Sequence, residues 1–215
     1  MDKAVVILSG GPDSVTVAYC AKKQGYDVYG LTFNYGQKAQ IEIKIAEEIA
    51  KELGINHRIV DISTLSEIYQ GVTSLTDNDI PVTEQFTDPI IVPFRNGVFM
   101  AVAVAYADAI GANHIFYGAH GSDEPYYPDC RKEFYQAFQT AARLGTERPI
   151  NIASPYSGKS KAGLLKEAVK LGVPLMKTWS CYIDGPIHCG VCESCNNRKK
   201  AFIEAGINDP TSYAA

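Results

Sequence analysis

A short apolar run at residues 4–8 leads straight into Ser9-Gly10-Gly11-Pro12-Asp13-Ser14, and residues 15–23 then carry helical spacing. A strand that turns into a helix through consecutive glycines strongly constrains the fold of a chain. The two glycines permit positive φ, so successive backbone N–H groups can converge on an anion at the start of the helix. The segment therefore reads as a nucleotide-phosphate loop. A Walker A loop is longer and ends in Gly-Lys-Ser/Thr, its lysine reaching the β- and γ-phosphates. Here no lysine falls between Lys3 and Lys22. Without that cation, a cut between the α- and β-phosphates is favoured over γ-phosphoryl transfer. The plainer alternative is a Gly-rich turn whose helix is capped by Asp13 or Ser14.

Residues 4–8, 28–33 and 57–62 are short apolar or β-branched runs, and residues 15–24 and 40–53 between them have helical spacing. Gly25 and Gly54 follow the two helical stretches, where a left-handed C-cap is expected. Residues 63–92 are weakly periodic and read as a long loop or lid with short helical pieces. Beyond them the pattern predicts a buried Ala-rich helix at 96–110, a strand at 114–118, a helix at 131–144, a strand at 150–154 and a last long helix at 161–171. The expected fold is α/β: a Rossmann-like parallel sheet with helices on both faces. Ligands of such sheets bind beyond the carboxyl ends of the strands. Residues 9–14, 34–37 and 119–123 all follow strands, so three polar clusters should converge on one edge.

The chain has 215 residues, a net charge of −4 and a pI near 5.6, a balance that argues against a nucleic-acid-binding surface. No run reads as a membrane span or a signal peptide, which places the expected protein in the cytoplasm. There six cysteines point to metal binding or burial before disulfides. Cys181, Cys189, Cys192 and Cys195 are spaced C-x7-C-x2-C-x2-C. Four thiolates suit one tetrahedral zinc in a closed, structural knuckle, with an iron–sulfur cluster as the rival. His188 reads as a loop residue and Cys20 as core. The chain thus divides into a nucleotide-binding part, 1–178, and a cysteine-rich C-terminal part, 179–215.

The Ser-Gly-Gly-x-Asp-Ser loop resembles that of the PP-loop ATP pyrophosphatases, whose adenine nucleotide alpha hydrolase-like members cleave ATP to AMP and pyrophosphate. Phe33-Asn34-Tyr35-Gly36-Gln37, Val92-Pro93-Phe94-Arg95-Asn96, Tyr127-Pro128-Asp129-Cys130-Arg131, Thr178-Trp179-Ser180-Cys181-Tyr182 and the cysteine knuckle are similar to one branch, the 7-cyano-7-deazaguanine synthases. Asn34 and Ala39 depart from that branch, which often has Asp and His there. The resemblance implies a ligase that joins 7-carboxy-7-deazaguanine and ammonia through adenylates, feeding queuosine or archaeosine synthesis. It implies ATP with Mg²⁺ as cosubstrate, structural zinc and a homodimer, with no direct contact to nucleic acid or membrane. A thiolation-type adenylating enzyme acting on tRNA is the alternative.

On this reading Ser9, Gly10, Gly11, Pro12, Asp13 and Ser14 hold the pyrophosphate, and Asp13 also holds Mg²⁺ or caps its helix. Leu8 and Phe33 flank adenine or are core. Arg95 offers an anion site beside Asn96, and Lys161 contacts phosphate while Lys159 is solvated. Arg131 takes the substrate carboxylate, or else pairs with Asp129. Asp123 and Asp129 accept hydrogen bonds from the guanine-like edge. His120 is a base for ammonia or a loop residue, and Cys130 is structural.

Overall fold

A computed structural model describes all 215 residues. Strands β1 (Lys3–Ile7), β2 (Asp27–Asn34), β3 (Asn56–Asp61), β4 (His114–Phe116) and β5 (Asn151–Ala153) form one sheet in the order β3-β2-β1-β4-β5. Every pair is parallel. The order reverses beside β1, so the loop after β1 opens at the crevice where such sheets bind ligands.

Side-chain alternation along β1 divides the core. Ala4 and Val6 join a layer with α1 (Pro12–Lys23), α2 (Ile41–Leu53) and α6 (Lys161–Leu171), whereas Val5 and Ile7 face α4 (Arg95–Ile110) and α5 (Lys132–Thr146). Helices thus cover both faces, as the sequence pattern predicts. Gly25 and Gly54 do take positive φ after their helices. The stretch Asp88–Ile110 is long and apolar enough to cross a membrane by length and composition alone, contrary to the reading that no run qualifies. Its apolar character is accounted for by the core, because Phe99, Met100, Ala103 and Ala107 of α4 are buried against the sheet.

Two other expectations are corrected. Helix α1 begins at Pro12, so Pro12, Asp13 and Ser14 form its first turn and the loop proper is only four residues, Leu8 to Gly11. The helix at 161–171 is not the last, since α7 (Glu193–Ala205) follows the cysteines and buries Ala201, Phe202 and Ala205 in the same core layer as α6. The predicted loop at 63–92 holds two short helical pieces, α3 (Leu65–Ile68) and a 3-10 turn at Asp88–Ile90, and is tied down by Glu193 N–H to the Thr83 carbonyl and by Lys38 N–H to that of Leu75.

Candidate active site

The glycine loop is shaped from within. Gly10 has φ +78°, and a Cβ there would lie 2.8 Å from the Glu42 carbonyl oxygen of α2. Ser14 Oγ accepts from Ser9 N–H at 3.1 Å and stands 3.1 Å from the Gly11 carbonyl, to which it donates. These bonds fold the loop back on the first turn of α1. Neither Asp13 nor Ser14 caps the helix; Gly11 is the N-cap residue and no side chain accepts from the first N–H groups as a cap. The positive end of α1 is left facing the crevice. Gly118, after β4, permits the same closeness from the other side, since a Cβ there would stand 2.8 Å from Ser14 N.

The lysine missing from the loop comes from the start of α6. Ser160 caps that helix by accepting from Gly163 N–H, and Lys161 Nζ stands 3.2 Å from Asp13 Oδ2. Burial pushes the Asp13 carboxyl up, but Lys161 and His120 together hold it below the usual carboxylate range. Burial likewise lowers the Lys161 ammonium, and Asp13 with Asp123 outweighs that and raises it. Both groups are thus charged at neutral pH. Asp13 Oδ1 is buried with no hydrogen-bond partner. It is the one acceptor at the loop free for a cation.

A cavity of about 260 Å³ continues from the loop, lined by Ser9, Asp13, Ser14, Arg95, Asp123 and Asp129 among others. Arg95 starts α4 because Phe94 before it takes φ +56° and lays its ring where a Cβ of Gly97 would be. The Arg95 guanidinium donates to Tyr35 Oη at 3.0 Å. Burial would lower its pKa, but Tyr35, Asp129 and Glu42 raise it further. Asp129 Oδ2 accepts from Asn96 N–H at 2.9 Å and so serves as an acidic group at the start of α4.

Glu42, also on the wall, is driven by burial, against the pull of Arg95, to a pKa of about 8. An acid with a raised folded pKa loses stability as pH climbs from its unfolded value toward the folded one, because the folded state holds the proton that the unfolded state releases. Glu42→Gln keeps the neutral shape. It is expected to match the parent near pH 5 and to gain a Tm advantage of about a few degrees by pH 8, read by thermal unfolding at both pH values.

Several sequence-assigned residues lie elsewhere. Leu8 is fully buried in the core, and Phe33 reaches the cavity only through Phe99, on which it stacks at 4.2 Å between ring centroids. Arg131 is exposed and donates to the Glu124 carbonyl, so it neither lines the cavity nor pairs with Asp129. It stands as the N-cap residue of α5, in extended backbone and with no side-chain cap bond. Cys130 does line the cavity, but it is buried and burial pushes its thiol up, as suits a structural residue. Lys159 is largely exposed against Glu167.

Sequence reasoning missed Glu42 and Ser194 on the cavity wall, and it marked Tyr35, Trp179, Ser180 and Tyr182 only as parts of motifs without giving them a place in the site. Trp179 N–H donates to the Gly10 carbonyl at 3.0 Å, which clasps the phosphate loop from behind. Fully buried Arg198 fixes that clasp, donating to the Leu175 carbonyl and to Thr178 Oγ1, Ser180 Oγ and Thr211 Oγ1. A buried guanidinium bonded mainly to neutral oxygens, with Asp209 Oδ1 at 4.0 Å, has such a role, but nothing in the local sequence marks it.

The four cysteine sulfurs lie within 4.8 Å of one another, with Cys181 to Cys192 and Cys189 to Cys195 each at 3.9 Å. Sulfurs bonded at about 2.3 Å to one tetrahedral ion are roughly 3.8 Å apart, so the set fits a single metal ion. His188 is no ligand: its Nε2 accepts from Ser180 N–H at 3.0 Å, and its ring lies on Trp179.

A parallel sheet of this order, a glycine loop without its own lysine and a remote lysine on the loop's aspartate together define a nucleotide-cleaving α/β protein of the PP-loop type. Solved structures agree on the fold. NMN synthetase from Francisella tularensis superposes with TM-score 0.56 at 17% identity, covering 96% of this chain and 78% of that one. The U34-tRNA thiolase NcsA from Methanococcus maripaludis, with its [4Fe-4S] cluster, gives 0.54 at 15% identity, covering 95% and 67%. The chain belongs to the family described as queuosine biosynthesis protein QueC, whose model it matches over residues 3–206. It is 40% identical over 216 residues, 98% of this chain and 97% of the relative, to the 7-cyano-7-deazaguanine synthase of Psychromonas ingrahamii.

Proposed function

We propose that the chain is a carbon–nitrogen ligase that converts 7-carboxy-7-deazaguanine and ammonia to 7-cyano-7-deazaguanine, cleaving ATP to AMP and pyrophosphate. The observation that carries this reading is one continuous site. The phosphate loop, with Lys161 across it, opens directly into a buried polar cavity holding Arg95, Asp123 and Asp129. A carboxylate is a poor electrophile at neutral pH, and adenylation turns one oxygen into a leaving group. Repeating the activation on the amide removes the second oxygen.

In this reading the backbone N–H groups of Gly10, Gly11, Asp13 and Ser14 and the Lys161 ammonium hold the departing pyrophosphate. Ser9 and Ser14 act by keeping the loop folded. Arg95 faces the anionic group that becomes the adenylate, while Asp123 and Asp129 accept the N–H groups of the deazaguanine. Asp13 Oδ1 fits magnesium, which would supply charge neutralisation to the ATP phosphates. The cysteine set fits zinc, because a multi-iron cluster holds its thiolates further apart than a single ion does. Residues 1–178 then carry the nucleotide site, and 179–215 brace it.

Incubating the protein with ATP, Mg²⁺, ammonium chloride and 7-carboxy-7-deazaguanine should yield AMP and the nitrile by mass spectrometry. Neither product from metal-loaded protein would overturn the reading. Sulfur transfer to tRNA in its place would favour the thiolation-type alternative.

A further inference from the structure

A second cavity, about 660 Å³, adjoins the first on the α7 side and shares Asp123, Tyr127, Lys161 and Tyr182 with it. A substrate seated at Asp123 therefore has room to extend across the shared wall. Phe86 and Tyr126, with ring centroids 4.6 Å apart, join Tyr127 and Tyr182 to give the second cavity an aromatic lining. Such a lining suits a flat heterocycle.

One carboxylate of this cavity is both buried and fixed. Glu84 is exposed, Glu204 pairs with Lys200, and Asp123 belongs to both cavities. Glu193, the first residue of α7, is 7% exposed and yet lines the cavity. Tyr182 Oη donates to its Oε2 at 3.1 Å, and the Asn197 side-chain amide donates to its Oε1. These donors hold the carboxyl in place, and each oxygen keeps a lone pair for a further donor. Two fixed acceptors side by side match two parallel N–H groups, the pattern of a ring N–H next to an exocyclic amino group.

We propose that Glu193 reads the far edge of the deazaguanine, accepting its N1–H and its 2-amino group in the second cavity. The proposal rests on the ligase reading above and names the residue that makes the site specific for a guanine-like base. In this pose the five-membered ring stays in the first cavity, its carboxylate toward Arg95 and its N–H toward Asp123 and Asp129. The opposite edge of the bicycle crosses the wall shared by Tyr127 and Tyr182 to reach Glu193. A base without the 2-amino group leaves one oxygen of a buried carboxylate without its donor.

Kinetics of the full-length, metal-loaded protein with 7-carboxy-7-deazaguanine and its 2-desamino analogue, 7-carboxy-7-deazahypoxanthine, test the idea. The parent is expected to use the analogue with kcat/KM lower by about tenfold or more. Glu193→Gln can keep both neighbours, its carbonyl toward Asn197 and its NH2 toward the Tyr182 hydroxyl, which can accept. It then sets an N–H against the N–H groups of the base. The variant is expected to lose at least about tenfold in kcat/KM for the deazaguanine and to reject the analogue by less than about threefold. Its metal content and KM for ATP should match the parent's. Asn197→Ala, at an exposed position, unties Oε1 and should raise KM for the deazaguanine about threefold. An unmoved KM there overturns the proposal, even if Glu193→Gln loses its metal. A parent that uses the analogue as well as the substrate overturns it without any variant, and so does equal discrimination in parent and Glu193→Gln. A rise in KM for ATP in place of the deazaguanine also overturns it, since the cavity would then hold adenosine. A parent that makes no AMP with the deazaguanine would instead refute the ligase reading.

Discussion

Lys161→Met is expected to slow AMP release by roughly a hundredfold or more while the protein stays folded, the scale seen when one preorganised donor at a developing charge is removed. The lysine stands where a triphosphate would meet α1, 3.2 Å from Asp13 Oδ2, and no other lysine lines the first cavity. Its loss should also appear in stability, with a definite sign. Lys161 helps hold the Asp13 carboxyl below its ordinary pKa. Stability from such a depressed acid is fully present above the unfolded pKa and is lost as pH falls through the folded one. The Tm deficit of Lys161→Met should therefore be seen at pH 7 and shrink in acid. Adding Asp13→Asn should restore part of the lost Tm at pH 7 without restoring turnover. Steady-state AMP release and thermal unfolding across pH separate the two effects. A Tm deficit that widens in acid would contradict the assigned pairing.

That pairing illustrates what the sequence makes legible. The loop announces itself because a strand, two glycines and a helix are consecutive, and the parallel sheet follows from regular βαβ spacing. The four cysteines are similarly local. By contrast, Asp13 and Lys161 are brought together only by the packing of α1 on α6. Helix α7 was masked because its first turns, Glu193 to Lys200, are polar and overlap the metal motif, leaving Ala201, Phe202 and Ala205 as the only strong marks of a buried face. Arg131 was misplaced for a related reason. Tyr-Pro-Asp-Cys-Arg reads as one polar cluster, but its short 3-10 turn, Pro128–Cys130, sends Asp129 to α4 and leaves Arg131 outside. Tyr35 is legible only as part of the 34–37 cluster, and Glu42 gives no signal at all, since it is unremarkable until the cavity encloses it.

Removing the metal should have the other large effect, and it should reach the phosphate loop. Binding free energy at a four-cysteine site is largely folding free energy for the segment that holds it. Here that segment is continuous with the clasp: Cys181 follows Ser180 and Trp179, Trp179 Nε1 donates to the Cys181 carbonyl, and Trp179 N–H holds Gly10. Chelation, or Cys195→Ser, is expected to speed amide hydrogen exchange both at residues 178–200 and at residues 9–14, and to weaken ATP binding by about tenfold or more. A metal that merely pinned the C-terminus would leave the loop amides protected. Arg198→Met isolates the clasp from the metal. It leaves the cysteines in place but removes a fully buried guanidinium and leaves the acceptors of its four hydrogen bonds unpaired, a loss of about 3–5 kcal/mol. Its metal content should match the parent's, while Tm falls by on the order of 10 °C and ATP affinity drops as in the chelated protein. Unchanged ATP affinity in Arg198→Met would place the link between knuckle and loop elsewhere than in Thr178-Trp179-Ser180.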